Sequence, residues 1–192
     1  MKHALLKSNV TLRCNPKKYT MSKILTAYYS RRGENYVGGT VRNLQYGNTE
    51  TVAGKIAALT GCDLFQIETT ETYPKNYTEM TEVAMQELQA GIRPEIVSSV
   101  TNIDQYDIII LGYPNWWGTM PMCAFTFLES YDFTGKTILP FCTHEGSGLG
   151  HSMEDIRRLC PGAEVKDGLA IRGSSVASSD KLIEEWLKRN SI

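Results

Sequence analysis

The feature that most constrains this sequence is an almost unbroken apolar run, "YDIIILGY", at residues 106–113. A strand with apolar side chains on both faces has to be covered on both sides, which is typical of a central strand in a parallel sheet. Parallel neighbours are joined by long crossover connections that usually contain a helix. The run therefore predicts an α/β domain with helices on both faces of a sheet.

Short runs rich in β-branched and aromatic residues recur along the chain, and segments with helical spacing separate them. This alternation predicts βα units and a doubly wound, five-stranded parallel sheet. The predicted strands are residues 23–29, 63–68, 106–113, 136–142 and 164–171.

Helices are predicted from apolar spacing and from capping residues. Asn48 is the predicted N-cap of the first helix, and Thr119 is the predicted cap of the helix that precedes residue 136. The buried face of the first helix is predicted to carry Val52, Ile56 and Leu59. The last helix is predicted to bury a stripe formed by Leu182, Ile183, Trp186 and Leu187.

Composition excludes several classes of protein. No apolar run approaches the ~20 residues that a membrane-spanning helix needs, and a net charge of −1 gives no basic field for nucleic acid. Five widely spaced cysteines without a C-x-x-C pair indicate neither a disulfide framework nor a zinc site, and fit a reducing cytoplasm. Residues 1–20 lack the apolar stretch of a signal peptide. We expect them to be a loosely held extension, or to lie upstream of a natural start at Met21, with one domain over residues 21–192.

Ligands of doubly wound sheets lie beyond the carboxyl ends of the strands, near the point where the strand order reverses. The loops to consider are therefore residues 30–48, 113–119 and 143–150. The first loop leads into a helix N-terminus, where free amides and the helix dipole favour an anion. Ser30, Asn48 and Thr49 add side-chain donors, which predicts a phosphate site rather than only a long solvated loop. The loop contains neither a Walker motif nor G-x-G-x-x-G.

The second loop, "GYPNWWGTM", places Trp116 beside Trp117 between Pro114 and Gly118. Adjacent residues of a helix point about 100° apart, so one helix face cannot bury both rings. Proline and glycine on either side favour an irregular loop. Aromatic rings in such a loop are suited to stacking on a planar ligand. The sequence therefore predicts a wall for a flat ring system, with backbone groups of residues 115–118 at its edge.

The third loop, "THEGSGLGHS", is rich in glycine, so that backbone amides can approach a ligand closely. His144 and Glu145 do not form H-E-x-x-H, because residue 148 is glycine. Cys142 lies near His144, but no orienting group for a nucleophile is evident. We predict that His144 and His151 are ordinary polar loop residues, and we expect no metal site.

Taken together, "YYSRRGENY" with "YGNTE", "LGYPNWWGTMP" and "PFCTHEGSGLG" resemble the flavodoxin-like family from Ser22 to the C-terminus. The resemblance implies the strand order 2-1-3-4-5 and a short-chain architecture. The first loop of flavodoxins is usually a compact S-x-T-G-N-T. Here Ser30 and "GNT" at residues 47–49 match its ends, and the residues between them are an insertion.

The resemblance implies FMN as the cofactor, with its phosphate, ring and ribityl chain held by the three loops. Ser30, Asn48 and Thr49 would hold the phosphate, with Arg31 and Asn35 nearby in the insertion. Residues 114–118 would flank the ring, and residues 143–148 would contact its pyrimidine side and the ribityl chain. The implied cofactor-binding residues are Ser30, Arg31, Asn35, Asn48, Thr49, Pro114, Asn115, Trp116, Trp117, Gly118, Thr143, Glu145, Gly146, Ser147 and Gly148. Trp117 is predicted to pack nearer the ring than Trp116.

Two kinds of activity follow from the resemblance. The first is electron transfer with a redox partner protein, which we favour, although carriers of this kind are typically more acidic than a chain of net charge −1. The second is an oxidoreductase that takes hydride from NAD(P)H and reduces a quinone or another small acceptor. A binding module without cofactor is a third possibility, and the retention of all three loops argues against it.

Overall fold

The computed structural model describes residues 22–192, and the expectations for residues 1–21, including Cys14, lie outside this range. The strand formers identified in the sequence build a parallel sheet with helices on both faces, and a separate hairpin precedes the first helix. The strands are β1 (Ile24–Tyr28), β2 (Gly33–Val37), β3 (Thr40–Leu44), β4 (Asp63–Gln66), β5 (Ile108–Pro114), β6 (Thr137–His144), β7 (Glu164–Val165) and β8 (Leu169–Arg172).

The main sheet has the order β4-β1-β5-β6, and both β7 and β8 pair with β6. All of these pairs are parallel. In terms of the predicted strands the order is second, first, third, fourth and fifth. The predicted fifth strand is, however, divided into two short strands, so the sheet has six strands instead of five. Asp167 and Gly168 lie at the break and are poor strand formers, and the Asp167 carbonyl accepts a hydrogen bond from Trp186 Nε1.

The helices are α1 (Asn48–Thr60), α2 (Tyr77–Ala90), α3 (Met122–Glu129), α4 (Ser152–Leu159) and α5 (Asp180–Arg189). Successive residues of β5 point to opposite faces of the sheet, as expected for a strand. Ile109 and Leu111 pack into the core under α3 and α4, whereas Ile110 packs into the core under α1 and α5. The apolar run is thus a central strand, as predicted. No helix between residues 22 and 192 has both the length and the apolar character that a bilayer crossing demands.

The segment predicted as a long loop at residues 30–48 contains an antiparallel hairpin formed by β2 and β3. Its two-residue turn is Gly38–Gly39, and both residues have positive φ, at 60° and 90°. Such turns match the twist of the flanking strands, which is why Gly-Gly between two runs of strand formers is a hairpin signal. No strand was predicted in this loop, and that part of the prediction was wrong, although the signal was present in the sequence.

Two capping predictions were also wrong. The N-cap of α1 is Gly47, and Asn48 is already the first helical residue. The N-cap of α3 is Pro121, while the Thr119 hydroxyl donates a hydrogen bond to Asp155 on α4. Two residues predicted on buried helix faces are exposed instead: Leu59 at 48% and Leu182 at 41%. Trp186 is buried as predicted.

Candidate functional site

Three segments at the carboxyl edge of the sheet, residues 30–48, 114–118 and 143–147, enclose one elongated cleft. Its narrow end, of about 100 Å³, adjoins a wide end of about 540 Å³. Gly146 and Gly148 belong to the third loop but do not line the cleft. The predicted site residues that line it are Ser30, Arg31, Asn35, Asn48, Thr49, Pro114, Asn115, Trp116, Trp117, Gly118, Thr143, Glu145 and Ser147.

The narrow end lies at the N-terminus of α1. Gly47 supplies no side-chain cap, and the Ser30 hydroxyl performs this role from the end of β1 by accepting a hydrogen bond from the Glu50 amide at 3.0 Å. The amides of Asn48 and Thr49 have no acceptor among residues 22–192. Free amides and the positive end of the helix dipole favour an anion here.

Arg31 brings a positive charge to the narrow end and braces the hairpin. Its Nε donates to the Glu34 carbonyl at 2.9 Å, and its Nη2 donates to the Lys75 carbonyl at 2.7 Å. The side chain of Asn35 donates to the carbonyls of Arg31 and Gly33, both at 3.1 Å. Burial lowers the pKa of Arg31 from its usual value, but a guanidinium remains charged in a protein. Arg31 and Asn35 therefore both line the cleft and hold the inserted hairpin in place by hydrogen bonds.

A buried pair of hydroxyl groups connects the first loop to the third. Thr49 Oγ1 and Thr143 Oγ1 are hydrogen-bonded at 2.8 Å, and both residues are almost fully buried. A buried hydroxyl that lost its partner would be costly. This pair fixes the start of α1 against the end of β6 at the base of the cleft.

At the wide end, Trp116 is half-buried and held edge-on between two tyrosines. Its ring lies 5.3 Å from the ring of Tyr29 and 5.1 Å from that of Tyr73, with interplanar angles of 78° and 85°. Edge-to-face contacts of this kind stabilise aromatic clusters. Trp116 is therefore a rigid part of the wall and not a free stacking ring.

Trp117 has a different environment from its neighbour. Its φ of 54° turns the chain, and its side chain is 49% exposed. The indole Nε1 donates to the carbonyl of Thr81 on α2 at 2.8 Å. Trp117 thus extends from the second loop to α2 across the wide end of the cleft, with a large part of its ring open to solvent.

Asn115 connects the second and third loops. Its Nδ2 donates to the Gly148 carbonyl, its Oδ1 accepts from the Gly118 amide, and its own amide donates to the Thr143 carbonyl, at 3.0, 3.0 and 2.8 Å. With donor and acceptor both used, the side chain is held in one orientation. The edge of the cleft between these loops is therefore preformed.

The Glu145 carboxylate joins two segments near the narrow end. One oxygen accepts from the Gly38 amide at the hairpin turn, and the other accepts from the Ser174 amide, at 3.2 and 3.1 Å. A carboxylate beside an anion site is unfavourable by itself, and these donors partly compensate its charge. Glu145 thus links the hairpin to the segment Gly173–Ser178 by hydrogen bonds.

One wall of the cleft was not predicted. Tyr77, Met80, Thr81 and Ala84 lie on α2 and line the cleft, and Tyr36 of the hairpin stacks on Tyr77 at 6.3 Å. The α2 residues recur at the i, i+3, i+4 and i+7 positions of one helix face. The sequence contained this periodicity, but nothing in it indicated that part of this face borders a ligand site instead of the core. His144 also lines the cleft and had been predicted to be an ordinary loop residue.

Comparison with known proteins identifies the family. A model of the family described as Flavodoxin matches residues 42–190. A protein from Bacteroides eggerthii named as a flavoprotein is 30% identical, with a TM-score of 0.70, over 89% of this chain and 99% of its own. The chain belongs to the flavodoxin family.

Two further solved structures share the fold of this flavodoxin-family chain. A protein from Bacteroides uniformis, also named as a flavoprotein, is 25% identical with a TM-score of 0.66, over 87% of this chain and 98% of its own. A flavoprotein from Lactobacillus acidophilus, crystallised in complex with FMN, is 23% identical with a TM-score of 0.61, over 83% of this chain and 99% of its own. No curated protein matches the chain.

The cysteine near the cleft of this flavodoxin-family chain is not suited to nucleophilic chemistry. Cys142 is fully buried, and burial raises its pKa to about 12. Its thiol donates weakly, at 3.5 Å, to the Gly148 carbonyl. A thiol held protonated in this way is a poor nucleophile. Between residues 22 and 192 no group of three or more histidine, cysteine or acidic side chains is arranged to hold a metal ion.

Proposed function

We propose that this flavodoxin-family chain binds FMN and acts in electron transfer. The observation that carries the proposal is the single elongated cleft, polar at its narrow end and aromatic at its wide end. FMN combines a terminal phosphate with a flat ring system, so its two chemically different ends fit the two ends of this cleft. Family membership and the FMN complex of the Lactobacillus acidophilus flavoprotein support the same cofactor.

The phosphate would be held at the N-terminus of α1. The free amides of Asn48 and Thr49 and the guanidinium of Arg31 provide donors and positive charge there. The Ser30 hydroxyl already accepts from the Glu50 amide, and its own proton is available to an anion.

The ring would lie at the wide end, between the second loop and α2. Trp116 and Trp117 of the second loop and Tyr77 of α2 line this end. Main-chain groups around Asn115 and Gly118 are fixed by hydrogen bonds and would meet the ring edge. These residues would orient the ring and exclude water from part of its surface.

A bound flavin supplies one- and two-electron chemistry, and the protein supplies binding, orientation and electrostatics. Electron transfer needs no acid or base from the protein. The thiol of Cys142 stays protonated and buried. The electron donor and acceptor would be a redox partner protein or a small molecule that reaches the open side of the wide end.

The cofactor proposal is tested by titrating the purified chain with FMN and with riboflavin, which lacks the phosphate. We expect FMN to bind at least tenfold more tightly, because one charge-assisted hydrogen bond contributes about 1.5–3 kcal/mol. Equal affinities would contradict the phosphate site at α1. A chain that binds neither flavin would instead be a binding module without cofactor.

The electron-transfer proposal is tested by mixing the FMN-loaded chain with NADPH or NADH in the absence of oxygen. We expect the yellow colour to persist until a flavin reductase is added. Rapid bleaching by the nicotinamide alone would overturn the carrier proposal and favour an NAD(P)H-dependent oxidoreductase.

A further inference from the structure

The last residue of β6, His144, holds the loop that follows it. Its ring Nδ1 accepts hydrogen bonds from the amides of Gly146, at 2.9 Å, and Gly148, at 3.0 Å. Both glycines have positive φ, at 146° and 60°, a backbone conformation that residues with side chains rarely adopt. A single ring atom therefore fastens two positions of the loop.

These bonds specify the protonation state of His144. An amide N–H only donates, so Nδ1 must carry its lone pair and the proton of the neutral ring must be on Nε2. In the protonated ring both nitrogens carry hydrogen, so Nδ1 would itself be a donor and could not accept from the amides of Gly146 and Gly148. Only neutral His144 holds the loop in this conformation.

Two charged groups act on the ring from different sides. Arg172 lies opposite His144 in the register of β8 and β6, and Glu145 is its neighbour in the loop. Burial and Arg172 lower the pKa of His144, and Glu145 acts in the opposite direction. The surroundings thus favour the neutral ring at pH 7, the form that the loop requires.

The loop held by His144 forms part of the wide end of the cleft. Glu145 and Ser147 line the cleft, and the Gly148 carbonyl accepts from Asn115 in the second loop. Loss of both bonds to His144 would therefore disturb two sides of the cleft at once. The amides of Gly146 and Gly148 have no other acceptor among residues 22–192.

We propose that neutral His144 is the positioning residue of residues 145–148, and that its protonation releases this loop and weakens ligand binding at the wide end of the cleft. The effect on the loop is independent of which ligand binds. The effect on ligand binding rests on the proposed FMN function.

The loop is tested by NMR titration of the ligand-free chain between about pH 8 and about pH 5. We expect the amide resonances of Gly146 and Gly148 to shift together, with the same midpoint as the His144 ring. Amides that do not follow the ring would overturn the proposal.

Substitution of His144 by asparagine gives the decisive variant. The side-chain oxygen of asparagine is an acceptor near the position of Nδ1, and it does not titrate. We expect His144→Asn to keep the two amide resonances near their neutral-pH positions and to abolish their pH dependence. His151→Asn is the matched control, since His151 is the N-cap of α4 and its ring faces Asp155 of that helix at 3.8 Å. In this variant the amides of Gly146 and Gly148 should titrate as they do in the wild type. A His144→Asn chain that titrates like the wild type would contradict the proposal.

FMN binding provides the second measurement. We expect the dissociation constant of the wild type to rise on the order of tenfold as His144 is protonated, because two neutral hydrogen bonds are lost. The FMN phosphate also loses charge over this range, because its second pKa is about 6, and this affects both chains equally. The dissociation constant of His144→Asn should therefore rise less than that of the wild type, and an equal rise in both chains would overturn this part. If FMN does not bind at any pH, the proposed function fails, and the amide titration still decides the role of His144.

Discussion

Substitution of Gly47 by alanine tests whether the narrow end of the cleft is built as the structure indicates. Gly47 is the N-cap of α1, with φ −68° and ψ 154°, a conformation that alanine adopts without strain. The reason for glycine is space. A Cβ at this position would overlap the Ser30 hydroxyl and the Arg31 carbonyl oxygen, and would lie 3.0 Å from the Arg31 carbonyl carbon.

The cost of this substitution follows from what has to move. The Arg31 atoms belong to the backbone, so the start of the hairpin or the start of α1 must shift, and overpacking of this kind costs about 1–3 kcal/mol. Displacement of the Ser30 hydroxyl also removes the acceptor of the Glu50 amide, at a typical cost of about 1 kcal/mol for a lost cap. We expect Gly47→Ala to lower the free energy of unfolding by about 2–4 kcal/mol.

The measurement is urea unfolding of the ligand-free chain, with Gly54→Ala as the matched control. Gly54 lies in the same helix and is exposed, and a Cβ added there would meet no other atom within 4 Å. Alanine there should stabilise the chain by about 0.5–1 kcal/mol, because glycine is a poor helix former. The two substitutions, chemically the same, are thus expected to have opposite signs.

A Gly47→Ala chain as stable as the wild type would refute the close packing of Gly47 against Ser30 and Arg31. A destabilised chain that binds FMN with unchanged affinity would leave the packing intact but contradict the anion site at the start of α1. If Gly54→Ala destabilised the chain, the expected gain from replacing glycine in a helix would not hold in α1. The effect of Gly47→Ala could then not be assigned to packing.

Three further predictions address single contacts of the site. Thr143→Val should lower the free energy of unfolding by about 1–3 kcal/mol, because it leaves the buried Thr49 hydroxyl without its partner. The double variant with Thr49→Val should recover part of the loss. If the losses of the two single variants, measured by urea unfolding, add up in the double variant, the pair is contradicted. The hydrogen bond from Arg32 holds the pKa of Glu50 below its usual value. The pair therefore stabilises the fold fully at a pH above that usual pKa, and the stabilisation is lost as the pH falls through the lowered pKa. Arg32→Gln should flatten this part of the curve of unfolding free energy against pH, and an unchanged curve would exclude the pair. Trp117→Ala should lower the free energy of unfolding by about 1–3 kcal/mol, through loss of one hydrogen bond and of the contacts of the buried half of its side chain, while it weakens FMN binding. A larger loss of stability without an effect on binding would assign Trp117 to the core.

The main features of the fold could be predicted from the sequence because they depend on short-range patterns. The run around Ile110 is apolar on both faces and became the central strand, with its residues divided between the two cores. Trp186 belongs to an apolar stripe of the last helix and is buried as predicted. Ser30 follows β1, and Thr143 lies near the end of β6. Both strands end at one edge of the sheet, so the proximity of these residues follows from the topology.

The hairpin was missed although its Gly-Gly signal is local, but the capping errors occurred where contacts between distant segments decide the structure. Asn48 is a good N-cap by residue type, but the cap of α1 comes from Ser30, 20 residues away from Glu50. The prediction that Trp117 packs nearer the ring than Trp116 stays a prediction, but the two side chains have different environments. Trp116 is enclosed by Tyr29 and Tyr73, whereas the positive φ of Trp117 turns its ring toward α2. No local pattern reports either contact.

Several contacts between distant segments of residues 22–192 shape the cleft. Ser30 caps α1, Thr49 and Thr143 bond each other, and Asn115 bonds both loops at the wide end. Binding a ligand to a site that is already ordered requires little further loss of conformational entropy. Affinity for a phosphate would then come from the amides at Asn48 and Thr49, which are ready to donate. We therefore expect substitutions that disturb this internal packing, Gly47→Ala first among them, to weaken phosphate binding as well as stability.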